Sequence, residues 1–514
     1  MQRWFHRIPA ALFCLSGLFV VACLIETVRL RLAYPFDLEW MEGGMLVHAL
    51  RVRDGLPLYT PPTADFIPFI YPPLYPWLLG VLGHVFSLDA TLGRAVSLLG
   101  ILCASGALVW AVRREGNSWP LGIATAALFL STYDDVGAFF DLVRTDGLMI
   151  ALLAGALLSA REATPRAVAA SGLLLTGAYL SKHSMALHGL PILFWLWKTQ
   201  GKGLAMLFIK WSVVPALLIT GALQLATDGW FLTYILEIPS THPLVADRLF
   251  PESEKELLSA FPIAIGCALL VSVLLRFSSP ADREAAPGDS DGRFYWLANT
   301  GIGLLLTILM RAHHGGFLNV LIPGYWFLAL CCGLAFGEAM KRWAHPSLRI
   351  VLASVVVGSV VMGRWEPKKY APTDADVQAV EQIIEAIQTF EGEVLIPHAP
   401  HYAVLAGKGA GFHQIALWDV VHDGASTRKE TKQSLTEAIA AQRYDAIILA
   451  NEKFAYGLKQ HYRKTKPLRF KSKAGMPKTG WRARPRFVFV PKEKGARLTL
   501  PVDEQPKTPD ETAP

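Results

Sequence analysis

Asp37-Leu38-Glu39-Trp40-Met41-Glu42-Gly43-Gly44 follows directly on the first apolar segment of the chain, and is itself followed by Arg51, Asp54-Gly55, Tyr59 and then Tyr71-Pro72-Pro73-Leu74. Three carboxylates at the mouth of a membrane helix are costly unless they face water and serve a purpose. The rigid Pro-Pro-Leu stretch then opens a second apolar run. The arrangement points to an enzyme that works on a lipid-linked substrate at the membrane surface.

Composition bounds the class. With 52% hydrophobic and 18% charged residues in 514, the chain cannot be one soluble globular domain. Apolar runs end near Gly363, and from Trp365 onward charge, Lys and Pro rise together. The expected domains are therefore a transmembrane domain over 1–365, with its acidic first outer loop at 30–72, a small α/β domain over 366–500, and a disordered tail over 501–514. All six Cys (14, 23, 103, 267, 331, 332) sit in apolar runs, so no disulfide framework is expected in an aqueous part. The net charge of +7 is spread over loops and the C-terminal part without a basic, aromatic stripe, which argues against a nucleic-acid partner. Arg3 and Arg7 ahead of an apolar run could mark a cleaved signal, but an uncleaved start helix is the simpler reading.

Basic residues between apolar runs mark the cytoplasmic side. Arg3/Arg7, Arg113/Arg114, Arg161/Arg166, Lys198/Lys202, Arg276/Arg283/Arg293 and Lys341/Arg342/Arg349 can all lie there only if the stretch 72–88 does not cross. That stretch is short, opens on Pro-Pro and contains Pro76 and His84, so it reads as a juxtamembrane or re-entrant helix. About eleven spans follow: 9–29, 92–112, 119–139, 146–160, 166–182, 184–198, 207–227, 258–275, 294–310, 317–337 and 347–363. The N-terminus is expected inside and the C-terminal domain outside. Ser278 to Arg293 reads as a disordered cytoplasmic connector.

With this topology the other ionisable clusters fall on the face of the acidic loop. Asp141, Arg144 and Asp146 lie at the outer end of the third span, Lys182-His183 at that of the fifth, and Arg311, His313 and His314 at that of the ninth. Glycosyl transfer from an activated phosphate donor needs a carboxylate to take the acceptor proton, and cations or a metal to neutralise the leaving phosphate. Glu39 is the candidate base, with Asp37 and Glu42 as further candidates that also read as positioning residues. Arg144 can clamp a phosphate through two N–H groups, and Lys182, Arg311, His313 and His314 are candidates for the same anion. Asp146 would hold Arg144 or bind the acceptor, and Tyr71 would help to position it. Each has a blander alternative: a solvated loop acid, an interfacial ion pair, or a lysine reaching water. A divalent cation is a candidate cofactor, although adjacent His residues make a poor ligand pair.

These residues resemble the GT-C superfamily of polyprenyl-phosphate-sugar-dependent glycosyltransferases, in particular bacterial relatives of protein O-mannosyltransferases (glycosyltransferase family 39) and lipid A aminoarabinose transferases. The resemblance is carried by the acidic loop, by Gly55-Leu56-Pro57-Leu58-Tyr59, by Tyr71-Pro72-Pro73-Leu74, by Arg144-Thr145-Asp146 and by the helix-end Lys182, within roughly the first 190 residues. It implies an all-α polytopic membrane domain and an inverting transfer from a polyprenyl-phosphate sugar to a lipid, glycan or protein acceptor on the extracytoplasmic face, with the early acidic residue as base. The family has an Asp-Glu pair where this chain has Asp-Leu-Glu and then Glu42, so the catalytic place falls to Asp37 or Glu39. Rival readings are a lipid-linked glycan flippase or transporter, which would place polar residues at mid-membrane along a pathway, and a glycan polymerase or ligase. The absence of any N-x-S/T sequon favours a bacterial inner membrane.

In the C-terminal part, Asp374 to Phe390 and Thr431 to Gln442 have helical periodicity. Glu393 to Ile396, Tyr444 to Leu449 and Arg486 to Val490 read as strands.

Overall fold

The computed structural model describes residues 2–276, 290–343, 345–471 and 473–493. Most of the expected connector from Ser278 to Arg293, and the tail 501–514, lie outside them. Contacts divide the chain into two compact units, Met1–Ala33 with Tyr71–Ala371 and Tyr34–Ile70 with Pro372–Pro514. Most of the acidic loop at 30–72 therefore groups with the C-terminal residues.

The first unit is helical and forms the membrane part of a multi-pass protein. After α1 (Gln2–Arg31), the helix α2 (Glu42–Arg53) belongs to the second unit; the first resumes with α3 (Leu74–Leu82), α4 (Ala90–Arg114), α5 (Trp119–Leu130), α6 (Asp146–Glu162), α7 (Pro165–Ser181), α8 (Gly189–Trp195) and α9 (Lys202–Ala226). It continues with α10 (Ser253–Ser259), α11 (Pro262–Arg276), α12 (Ser290–Ala312), α13 (Ile322–Arg342) and α14 (Pro346–Met362). Helix starts follow capping chemistry. Asp89 accepts the Leu92 N–H at 3.0 Å ahead of α4, and Thr164 caps α7 with Pro165 at its first position.

Among the described residues six helices are long and apolar enough to cross a membrane, or seven if α10 and α11, bent by 91° at their junction, count as one span. The expected spans beyond these coincide with shorter helices. α5 has 12 residues, α6 and α7 have 17 each, and α8 runs on into a wider, π-helical turn over Leu196–Gln200. α3, of nine residues, is only about 14 Å long.

α6 packs on α4 and α7, and α1 packs on α14 and α5. Gly100 of α4 and Gly147 of α6 bring the α4 and α6 backbones so close that a β-carbon at either would overlap the other chain. Buried aromatic groups have partners for their polar atoms. Trp326 Nε1 donates to the Ala104 carbonyl at 2.9 Å and the Tyr295 hydroxyl to that of Leu157 at 2.7 Å. Arg31 and Asp141, both wholly buried, pair at 3.0 Å, and the Tyr133 hydroxyl donates to Asp141 at 2.8 Å.

The second unit is a small α/β domain. α15 (Asp374–Gln388), α16 (Pro400–Leu405), α17 (Gln414–Val421) and α18 (Arg428–Ala440) accompany a four-stranded sheet. Its strands are β1 (Val394–Leu395), β2 (Ala446–Leu449), β3 (Tyr462–Lys464) and β4 (Phe487–Pro491), in the order β1-β2-β4-β3. β1 is parallel to β2, while β4 is antiparallel to both β2 and β3. β2 is apolar throughout and buried, as a central strand should be. The chain segment 34–70 is tethered to this sheet: the Tyr444 hydroxyl donates to the Ala64 carbonyl at 3.1 Å, the Ala64 N–H donates to Ser434 at 3.2 Å, and Arg443 bridges Asp65 and Glu393.

Candidate active site

In the first unit, two cations are fixed around one carboxylate. Asp146 opens α6, where the helix dipole favours negative charge, and it is almost wholly buried. Lys182 ends α7 in an extended conformation, and its ammonium reaches Asp146 Oδ1 at 2.9 Å while keeping 12% of its side chain exposed. Asn319 donates to Asp146 Oδ2 at 2.9 Å, so both carboxylate oxygens are taken. Arg144 is close enough to act on the same charge. Its guanidinium donates to the Tyr71 hydroxyl at 3.0 Å and stands 5.5 and 5.8 Å from the Tyr71 and Phe139 ring centres. Its backbone carbonyl accepts the Ser97 hydroxyl at 2.9 Å, and Tyr75 bonds the same Ser97. Arg144, Asp146, Lys182 and Tyr71 are thus gathered into one constellation.

Arg311 is placed differently. It makes a two-pronged pair with Glu256, both contacts at 2.7 Å, and has Glu252 at 3.8 Å. His313 Nε2 meets the Pro239 carbonyl at 3.1 Å, and its ring lies 4.9 Å from that of His242. The His314 N–H donates to the Pro243 carbonyl at 3.0 Å. This Arg-His-His run therefore builds the 239–256 segment onto the end of α12. Asp141, similarly, is the buried partner of Arg31.

In the second unit the three acidic candidates are buried together: Asp37 is 7% exposed, Glu39 2% and Glu42 not at all. Glu42 opens α2 and turns its carboxylate back to accept the Leu38 and Glu39 N–H groups at 2.7 and 3.3 Å, which fixes the turn that carries the other two. Glu39 Oε2 accepts the Met41 N–H at 3.2 Å. Asp37 lies against Gly43, where a β-carbon would stand 2.9 Å from its Oδ1. Burial, and then the Asp37 charge, push the Tyr402 phenol well above its ordinary pKa.

The turn is held from the C-terminal side. Lys478 and Thr479 donate backbone N–H groups to the Leu38 carbonyl at 2.7 and 3.2 Å, and Glu39 forms a bridge with Thr479. That segment is anchored in turn by Asp376, which bonds the Gly475 N–H at 2.9 Å and the Lys478 ammonium at 2.7 Å. Burial raises the Asp376 carboxyl, but these bonds and those from Thr373 outweigh it and leave the pKa below the usual value. His413 accepts the Ile415 N–H on Nδ1, so its Nε2–H donates to the Trp40 carbonyl, at 2.9 Å.

His48 is held likewise. Its Nε2 accepts the Phe69 N–H at 2.9 Å and its Nδ1–H donates to the Gly44 carbonyl at 2.8 Å, with the ring stacked on Phe69. Burial pulls its pKa down to about 4. His398, buried beside Trp481, is lowered to about 4 for the same reason.

The acidic loop, Arg144, Asp146 and Lys182 were accessible to sequence reasoning; Asn319, Ser97, His413 and the 475–480 segment were not. Each of the latter acts through one hydrogen bond to a residue distant in sequence, and carries no local pattern. Among the described residues no group of three or more His, Cys, Asp or Glu side chains is placed to hold a metal ion.

No family model and no curated protein matches the chain. Among solved structures, it is similar to ArnT from Cupriavidus metallidurans in the apo state, at 14% identity and a TM-score of 0.49, over 92% of this chain and 97% of that one. It is also similar to the Archaeoglobus fulgidus oligosaccharyltransferase in the apo form, at 11% identity and a TM-score of 0.46, over 84% of this chain and 69% of that one. A third similarity, at 11% identity and a TM-score of 0.45 over the same shares, is to the archaeal oligosaccharyltransferase AglB from Archaeoglobus fulgidus in complex with an inhibitory peptide and a dolichol-phosphate.

Proposed function

We propose that the chain is a membrane glycosyltransferase that moves a sugar from a polyprenyl-phosphate-linked donor to an extracytoplasmic acceptor, with inversion at the anomeric carbon. The observation that carries the reading is the pair of fixed cations at one end of the helical unit. Lys182, held 2.9 Å from Asp146, and Arg144 on Tyr71 form a pre-built anion site with little side-chain freedom left to lose.

In the proposed reaction the acceptor oxygen attacks the anomeric carbon as the bond from that carbon to the phosphate oxygen breaks. The phosphate leaves with the bonding electrons, and Arg144 and Lys182 stabilise the charge it gains. Glu39, or Asp37 in its place, takes the acceptor proton. Glu42 is assigned to positioning, because its carboxylate is committed to two backbone amides. Arg311, His313 and His314 are assigned to holding the 239–256 segment rather than to the phosphate.

The test is to incubate the purified chain with a panel of polyprenyl-phosphate sugars and candidate lipid, glycan and protein acceptors, and to follow by mass analysis which donor is consumed and which molecule gains the sugar. Transfer supports the reading. Consumption of no donor, together with movement of intact lipid-linked sugar across sealed vesicles, would replace it by the flippase.

A further inference from the structure

The helices that carry the Arg144–Asp146–Lys182 constellation also carry a second polar site at their other ends. A cavity of about 820 Å³ lies between the C-terminal ends of α4, α6, α11 and α13 and the N-terminal end of α12. Along α6 the rise from Asp146 to Arg161 separates the two sites by about 22 Å. Both the cavity and the constellation lie within the first unit.

Arg114, Arg161, Arg276, Arg293, Lys341 and Arg342 line this cavity, against the carboxylates of Glu115 and Glu338. Arg161 pairs with Glu115 at 3.0 Å, Arg342 with Glu338 at 2.7 Å, and Arg114 with the neighbouring Glu162 at 3.1 Å. Six cations and two carboxylates leave the lining positive by four charges, or by three with the neighbouring Glu162 included. Glu115 is held tightly: it also accepts Trp296 Nε1 at 2.9 Å, and its backbone carbonyl accepts the Lys341 ammonium at 2.6 Å.

The remaining wall is apolar. Leu275, Leu297, Leu334 and Ala335 contribute to it, and Leu297 is 64% exposed. A site for a free anion has no use for such a wall, whereas a phospholipid needs a cationic pocket for its phosphate continuous with an apolar surface for its chains. The cations also stand at the end that the charge rule assigns to the cytoplasm, where anionic lipids attract basic residues.

We propose that this cavity binds the phosphodiester headgroup of an anionic phospholipid from the leaflet opposite the transfer site. The proposal stands independently of the transfer reaction.

Native mass spectrometry of the full chain, released from detergent with equal amounts of phosphatidylglycerol and phosphatidylcholine, tests it. The expected result is retention of phosphatidylglycerol over phosphatidylcholine by about tenfold or more, largely lost in Arg276→Gln/Lys341→Gln and kept in Arg276→Lys/Lys341→Arg. Millimolar inorganic phosphate should leave the preference intact. Equal retention of the two lipids, an unchanged preference in a folded Gln variant, or full displacement by inorganic phosphate would each overturn the assignment. If the Gln variant does not fold, loss of the wild-type preference in 0.5 M salt supports the site, and a salt-independent preference overturns it.

Discussion

The Glu39 carboxylate lies against Gly480: a β-carbon on that glycine would stand 2.7 Å from Glu39 Oε1, and the glycine has a φ of +70°. Gly480→Ala therefore adds both backbone strain, of order 1–3 kcal/mol, and a collision with the carboxylate. Transfer should fall at least tenfold while the helical unit keeps its thermal stability in detergent. Unchanged turnover would show that Glu39 does not need its observed position.

Replacing Glu39 by Gln keeps size and hydrogen-bonding reach but removes the proton acceptor. Transfer is expected to drop by about 10²-fold or more with donor binding retained. Asp37→Asn is the companion measurement. Loss in that variant alone exchanges the two roles, and wild-type rates in both remove the acidic loop from the chemistry.

Arg144→Ala and Lys182→Ala should each weaken donor binding by about tenfold to a hundredfold, since a charge-assisted contact to phosphate contributes roughly 1.5–3 kcal/mol, and Lys182→Ala should also lower stability, because it leaves the buried Asp146 without its cation. Arg311→Ala should lower stability without that loss of donor binding, because it leaves Glu256 without its two-pronged partner. Titration of donor binding alongside thermal melting separates these outcomes. A donor-binding loss confined to Arg311→Ala would reverse the assignment.

Arg31 and Asp141 form a buried pair, so Asp141→Asn leaves an uncompensated charge and is expected to cost about 3–5 kcal/mol. Arg31→Met/Asp141→Leu should recover much of that loss. A double variant as unstable as the single one would mean that Tyr133 and the surrounding packing, rather than the ion pair, set the cost.

His48 has a pKa of about 4 when folded against an ordinary 6.5, so below pH 6.5 the unfolded chain binds more protons. Its neutral, buried form therefore favours folding least in acid: stability falls between pH 6.5 and 4, by up to about 3 kcal/mol for this one group. His398 acts in the same sense. Asp419, whose carboxyl burial pushes well above its usual value, acts in the opposite one. Hydrogen exchange of residues 42–53 should accelerate as pH falls from 6.5 to 4, after correction for intrinsic rates, and less so in His48→Gln. Identical profiles for the two proteins would exclude His48 as the titrating group.

Much of this architecture was legible because its signals are local. The helical periods, the strand at Tyr444 to Leu449, and Arg144-Thr145-Asp146 can all be read from a few neighbouring residues. β3 was not, since Tyr462-Arg463-Lys464 is too short to show alternation and has only one buried side chain. Nor could the sequence show that Arg311 is neutralised by Glu256 or that Asp141 belongs to Arg31. Each pairing depends on which helices become neighbours, and like-looking charges at helix ends then find quite different partners.

The Leu38 carbonyl is made near the start of synthesis, and its two N–H donors, on Lys478 and Thr479, near the end of the described chain. At roughly 5–20 residues per second, tens of seconds pass between them. Throughout that interval the acidic turn has no Thr479 to bridge and no Gly480 to lie against. Ribosome-bound chains that stop before residue 475 would thus present these carboxylates hydrated and loosely arranged, so that, on the proposed reading, the enzyme remains silent while the bilayer is still receiving its helices.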